Sequence, residues 1–230
     1  MREPEAITRR GLIAGAATFG ASALVLGGLV TFDGQAQADT ADGGGAEGAV
    51  RAVAAAGQYG FLVDMGKCVG CERCVAACRE ANRLSEKTED RRVVQVFVGE
   101  DAMNVYVSTA CNHCADPNCL RVCPAGAISK GEAGIVSVNK ERCIGCKYCY
   151  QACPYGVPSY NEVAMDKCDC CLSVGVAPGE TPHCAQACIF DALRYGPLEE
   201  LRAEAEARGG NPVPVGEACD PSCLLVGKGR

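Results

Sequence analysis

Hydrophobic and polar positions along the chain fall into short runs, and each run has a recognisable period. Tyr59 to Val63 is an unbroken apolar stretch of strand length. Val93 to Val98 and Val105 to Val107 are rich in β-branched residues and flank the turn-forming stretch Gly99 to Asn104, which predicts a hairpin. A second hairpin is predicted from Ala127 to Lys130 and Ile135 to Val138, joined by a glycine-containing turn. Short helices are expected between these strands, beginning near Cys78, Cys123, Cys153 and Cys188. Leu198 to Arg208 (LEELRAEAEAR) reads as an amphipathic helix stopped by Gly209-Gly210, its charges a solvated face or a docking face. Strands, loops and short helices in this order give an α+β class.

The N-terminus follows another pattern. Thr8-Arg9-Arg10 precedes an apolar Gly/Ala-rich stretch from Gly11 to Phe32, and Ala36-Gln37-Ala38 is a small-x-small cleavage site. The three features in register look like a twin-arginine export signal over residues 1–38, cut after Ala38, rather than a retained anchor. That route carries proteins already folded, so the cysteines would meet any metal in the reducing cytoplasm, and the mature protein would sit in the periplasm or on the outer face of the cytoplasmic membrane. Residues 39–58 are rich in glycine and alanine, lack periodicity and read as a flexible lead-in.

Composition changes the picture sharply. There are 19 cysteines in 230 residues, no tryptophan and only 5% aromatics, so the usual anchors of an apolar core are scarce. The net charge of −6 gives no electrostatic footprint for nucleic acid. All the cysteines lie between Cys68 and Cys223, and sixteen fall into four groups. Cys68, Cys71, Cys74 and Cys78 are spaced C-x2-C-x2-C-x3-C; Cys143, Cys146, Cys149 and Cys153 repeat this, with Pro154 following. Cys111, Cys114, Cys119 and Cys123 form a variant, and Cys168, Cys171, Cys184 and Cys188 carry a long insertion. Three cysteines on a tight loop can hold one iron-sulfur cluster while the fourth reaches a neighbouring one. Gly70 and Gly145 suit a loop passing close to such a cluster. Tetrahedral zinc needs only two C-x2-C pairs, and a disulfide framework would not call for this repeat; both remain as alternatives for a cysteine-rich binding protein.

On these motifs the chain resembles the iron-sulfur electron-transfer subunits of the dimethyl sulfoxide reductase family of molybdopterin oxidoreductases. The carriers are GFLVDMGKCVGCERCVAAC, CNHCADPNCLRVCPAGAI, CIGCKYCYQACPYGVP, MDKCDCC, HCAQAC and ALRYGPLEEL, spanning about Gly60 to Pro197. The resemblance implies two ferredoxin-like modules, one inserted in the other: an outer module of residues 59–108 and 161–197, an inserted module of 109–160, and a C-terminal helix and tail over 198–230. It implies four [4Fe-4S] clusters. One would take Cys68, Cys71, Cys74 and Cys188, and its partner Cys78, Cys168, Cys171 and Cys184. In the inserted module Cys111, Cys114, Cys119 and Cys153 would hold one cluster, and Cys123, Cys143, Cys146 and Cys149 the other. The implied partners are a molybdopterin catalytic subunit and a membrane subunit exchanging electrons with quinone, or, in nitrite-reductase relatives, a quinol-to-cytochrome relay. The chain would conduct electrons, catalyse nothing alone and not span the membrane once its leader is cut.

Three cysteines stand outside these groups. Cys170 sits between Cys168 and Cys171, whose spacing favours those two as ligands. Cys219 and Cys223 lie in a Pro-containing tail, where a disulfide, free thiols and a fifth metal site are all open. His113 and His183, each next to a ligand candidate, lack Rieske spacing and are expected to pack beside a cluster or face solvent. Tyr148, Tyr150 and Tyr155 surround the third group, most simply as packing, and Lys147 is placed to tune a potential.

Overall fold

The computed structural model describes residues 57–99, 102–161, 163–212 and 219–227. The leader expected over 1–38 and almost all of the lead-in that follows it lie outside them. Strand β1 (Tyr59–Asp64) is buried on both faces, with Phe61 2%, Leu62 0% and Val63 0% exposed, as its unbroken apolar run requires. It sits inside a sheet of order β8-β1-β10-β9, where β8 is Leu193–Pro197, β9 Asn211–Pro212 and β10 Cys223–Val226. β8 runs antiparallel to β1, with Leu62 opposite Arg194; β10 runs parallel, with Phe61 opposite Cys223. Gly60 marks a close approach, since a Cβ there would lie 2.3 Å from the Ser222 carbonyl oxygen.

Alternation along β1 divides the core in two. Leu62 joins Leu224 and Val226 of β10 beneath helix α5 (Leu198–Ala207), which contributes Leu198, Leu201 and Ala205 from one stripe. Phe61 and Val63 face the other way, toward Leu193, Cys223, Val105, Val107 and several cysteines. The segments beyond residue 197 therefore complete this sheet rather than trail from it.

Between β1 and β8 the chain leaves the sheet and returns. It forms α1 (Arg73–Ala81), the hairpin β2 (Arg92–Val98) and β3 (Asn104–Ala110), α2 (Asn118–Arg121), the hairpin β4 (Ile128–Lys130) and β5 (Val136–Val138), α3 (Tyr148–Ala152), the two-residue strands β6 (Ser159–Tyr160) and β7 (Met165–Asp166), and α4 (His183–Gln186). Ile128, Val136, Cys149 and Met165 make a separate small core here. Both predicted hairpins form. The helices, however, begin before the third cysteine of their groups, not near Cys78, Cys123, Cys153 and Cys188. Pro124 and Pro154 explain two of these: a residue preceding proline is driven out of the helical region, so the turn must finish before Cys123 and Cys153. No proline follows Cys78, and α1 continues to Ala81.

No helix among the described residues is long and apolar enough to cross a membrane. Polar pairs tie the layers together. Arg91 donates to both oxygens of buried Asp166, at 2.9 and 3.0 Å, and also to Asn82 and Asp169. Asp64 accepts from Arg208 at 2.5 Å and from the Gly66 and Lys67 amides.

Candidate metal centres

The four C-x2-C loops share one backbone device. The residue just before the second cysteine is left-handed in each: Gly70 at φ 71°, His113 at 42°, Gly145 at 66° and Cys170 at 54°. Such a residue turns the chain sharply, which lets two cysteines two residues apart aim at one point. At Gly70 a Cβ would also meet the Tyr106 ring at 2.4 Å, whereas at Gly145 the surrounding space is open and only the φ asks for glycine.

Cys68, Cys71, Cys74 and Cys188 line one cavity, with Val94, Phe190 and Leu193 among its walls. Cys123, Cys143, Cys146 and Cys149 line another, walled by Ile128, Tyr160 and Met165. The other eight are placed by their neighbours. Burial, and then the neighbouring Cys168 and Cys184 thiols, push Cys78 up to about 12. Asn82 Nδ2 lies 3.7 Å from the sulfurs of both Cys78 and Cys171, so Cys78, Cys168, Cys171 and Cys184 belong to one neighbourhood. Burial and then Cys111 push Cys119 up to about 12, with Cys153 contributing, and Cys114 is raised by burial, Cys219 and Cys111. Sixteen cysteines thus lie in four spatial sets.

The sets follow one another. Arg92, 2% exposed, has Cys184, Cys168, Cys74 and Cys223 as its electrostatic neighbours and so stands between the first two sets. Lys167, 3% exposed, feels Cys111, Cys168, Cys119 and Cys170 and stands between the next two. Cys119 neighbours Cys149 of the last set. Cys71 and Cys146, one in each end set, are exposed, and every other cysteine is at least partly buried.

Three observations bear on what such sets can hold. Thiols raised by burial and by one another cannot ionise together unless a cationic centre offsets them, and soft thiolates select iron-sulfur clusters or zinc. Backbone amides point at the sulfurs: Ala127 to Cys123 at 3.3 Å, Met165 to Cys143 at 3.5 Å, Ala192 to Cys188 at 3.3 Å and Cys170 to Cys168 at 3.4 Å. Amide donors to sulfur are a principal lever on cluster potential. Finally, Arg92 donates from Nη1 to Ser108 Oγ at 3.0 Å and stacks 4.6 Å from the Phe61 ring centre, yet its buried Nε and Nη2 have no protein partner. A buried guanidinium of this kind asks for anionic groups beside it, and the residues fit a [4Fe-4S] occupant.

The remaining cysteines have other surroundings. Cys170 is buried, with its sulfur 3.3 Å from His113 Nε2. Its hydrogen bond is the main reason Cys168 is held well below the ordinary thiol value. Cys219 sits 3.8 Å from Tyr155 Oη and beside Cys114, and Cys223 lies on β10 in the core, with no disulfide between them. The tail around Cys219 clamps the second cysteine loop: the Ala115 amide donates to Asp220, Asp116 to Cys219, and Ser222 to Asn112. His113 is enclosed, while His183 opens α4. Tyr148 and Tyr150 are exposed. Arg92, Lys167, Asn82 and Ser108 went unread in the sequence, since lone polar residues in strand-like or loop segments carry no spacing signal.

Residues 102–198 match the model of the 4Fe-4S dicluster domain. The B subunit of the anaerobic dimethyl sulfoxide reductase of Escherichia coli K12 is 39% identical over 181 residues, covering 73% of this chain and 88% of its own length. The chain belongs to the iron-sulfur subunits of the dimethyl sulfoxide reductase family. The probable anaerobic dimethyl sulfoxide reductase subunit YnfG of the same organism is 43% identical over 157 residues, covering 63% of this chain and 76% of its own length. The thiosulfate reductase electron transfer subunit PhsB of Salmonella typhi is 41% identical over 150 residues, covering 62% and 78%. As an iron-sulfur subunit of this family, the protein carries [4Fe-4S] clusters in a ferredoxin-like α+β fold, transfers electrons and is not itself the catalytic subunit.

Proposed function

We propose that the protein holds four [4Fe-4S] clusters in series, within two ferredoxin-like modules of which one is inserted in the other. Cys68, Cys71, Cys74 and Cys188 would hold the first, Cys78, Cys168, Cys171 and Cys184 the second, Cys111, Cys114, Cys119 and Cys153 the third, and Cys123, Cys143, Cys146 and Cys149 the fourth. Each such cluster, when bound, accepts and gives up one electron. The observation that carries the reading is the order of the cysteine sets together with exposed cysteines, Cys71 and Cys146, in the two end sets.

The chain's own residues do the rest. Arg92 and Lys167 supply fixed positive charge between successive sets, and the amides of Ala127, Met165, Cys170 and Ala192 hydrogen-bond sulfur. Val69 and Ile189 beside the first set, and Ile144 and Tyr148 beside the last, are more than half exposed and give both ends apolar docking surface. One end would meet a molybdopterin catalytic subunit and the other a membrane subunit in contact with quinone, after export by the twin-arginine route to the periplasmic side.

Purification under nitrogen with metal and sulfide analysis tests this. About sixteen irons and as many acid-labile sulfides per chain are expected; a colourless protein holding zinc and no sulfide overturns the reading. Replacing Arg9 and Arg10 by lysine should leave the protein in the cytoplasm, and a large molybdopterin subunit should co-purify with the native complex.

A further inference from the structure

Left-handed backbone at a non-glycine residue costs roughly 1–2 kcal/mol. Of the four equivalent loop positions, two hold glycine and two do not, and the two that do not are His113 and Cys170. They belong to different loops, 57 residues apart in sequence, and their side chains touch. His113 Nδ1 accepts from the Val136 amide at 3.0 Å, which puts the ring proton on Nε2, facing Cys170 Sγ at 3.3 Å. The Cys170 amide in turn donates to Cys168 Sγ at 3.4 Å. His113 is bonded directly to Cys114 and Cys170 directly to Cys171, and the His113 ring nitrogen, Cys170 Sγ and Cys168 Sγ all lie within 4.8 Å of one another, so these side chains meet where the second cysteine set adjoins the third. Lys167 braces the same seam, donating to the carbonyls of Val136 and Cys168. Both His113 and Cys170 are nearly sealed from water, at 3% and 2% exposure.

We propose that the His113–Cys170 contact is the bridge through which electrons cross between the inner two clusters, and that it holds those two loops in register for the crossing. The inference rests on the four-cluster reading. In each crossing one electron leaves one inner cluster and arrives at the other; no bond is made or broken, Cys170 stays a thiol, and His113 keeps its Nε2 proton. Cys170 is a positioning and conducting residue here, not a ligand.

The test uses the full chain with its iron and sulfide counted. Cys170→Gly removes the sulfur at a φ glycine favours, His113→Asn removes Nε2 at a φ asparagine tolerates, and Cys170→Ser restores an acceptor. Flash photoreduction with freeze-quenched EPR reads how fast electrons redistribute between the two module pairs, and the fully reduced spectrum reads magnetic coupling between the inner clusters. C170G and H113N should keep full iron and wild-type potentials, redistribute electrons several-fold more slowly and lose inner-cluster coupling, with C170S recovering part of both. Unchanged redistribution at full iron overturns the proposal, and so does loss of one cluster's iron in C170G, which would make Cys170 a ligand. An iron count in the parent protein too low for four clusters would instead sink the reading beneath it.

Discussion

Replacing Arg92 by methionine keeps most of the stem volume and removes a buried positive charge. The two hydrogen bonds through Ser108 Oγ, 3.0 Å from Nη1 and 3.4 Å to Cys74 Sγ, keep the guanidinium roughly 6 Å from the first set's sulfur. A unit charge at about 6 Å in a medium of effective dielectric near 20 is worth roughly 3 kcal/mol. For a one-electron couple that is about 120 mV, since tenfold in the equilibrium constant is about 59 mV. Reduction adds negative charge, which the guanidinium favours, so its loss lowers the potential. The proposed first cluster should fall by about this amount and the second, whose Cys184 and Cys168 are the stronger neighbours of the guanidinium, by at least as much, while the third and fourth should move far less. Redox titration followed by EPR measures it, and Arg92→Lys should restore most of the shift. Four unchanged potentials in an R92M protein with full iron would refute the assignment of Arg92 to the space between the first two sets.

Other expectations follow from the same geometry. Cys146→Ser should lose or alter the fourth cluster and block electron flow while leaving the outer pair formed, read by iron content and EPR. Cys219→Ser should leave iron unchanged, because Cys219 faces Tyr155 and Cys114 from the tail rather than completing a quartet; a loss of four irons would make it a ligand. Burial opposes ionisation of Asp64, but the Arg208 guanidinium and the amides of Gly66 and Lys67 outweigh it and hold its carboxyl below the ordinary 3.8. The stability it contributes is therefore full above that value and lost as pH falls through the lower folded value; Arg208→Ala should move the onset of acid unfolding, followed by circular dichroism, to higher pH. Leu62→Ala empties a fully buried site between the sheet and α5 and should cost about 2–5 kcal/mol in denaturant unfolding.

Strands announced by dense β-branched or apolar runs, such as β1, β2 and β3, were legible because their pattern is local. The cysteine groups were visible as a repeat for a related reason: C-x2-C spacing is a constraint on backbone reach, and it is written in consecutive residues. β8 and β10 were not. Leu193 to Pro197 carries glycine and proline, and Cys223 to Val226 is four residues long, so each becomes a strand only because β1 offers an edge on either side. Two of the displaced helices, α2 and α3, finish before the fourth cysteine of their groups because proline acts backward on the residue before it. The non-local neighbours Arg92, Lys167 and the His113–Cys170 pair required the fold itself, since no sequence spacing brings residue 113 to residue 170.

The tail's place in the sheet also sets an order of assembly. Every cysteine of the proposed quartets is synthesised before residue 223, yet β10, which lies between β1 and β9 and whose neighbours at 219–222 clamp the second loop, comes afterward. A chain broken off before that point would possess all sixteen proposed ligands and still lack an inner strand of its sheet. Possession of the proposed ligands therefore does not by itself complete the sheet.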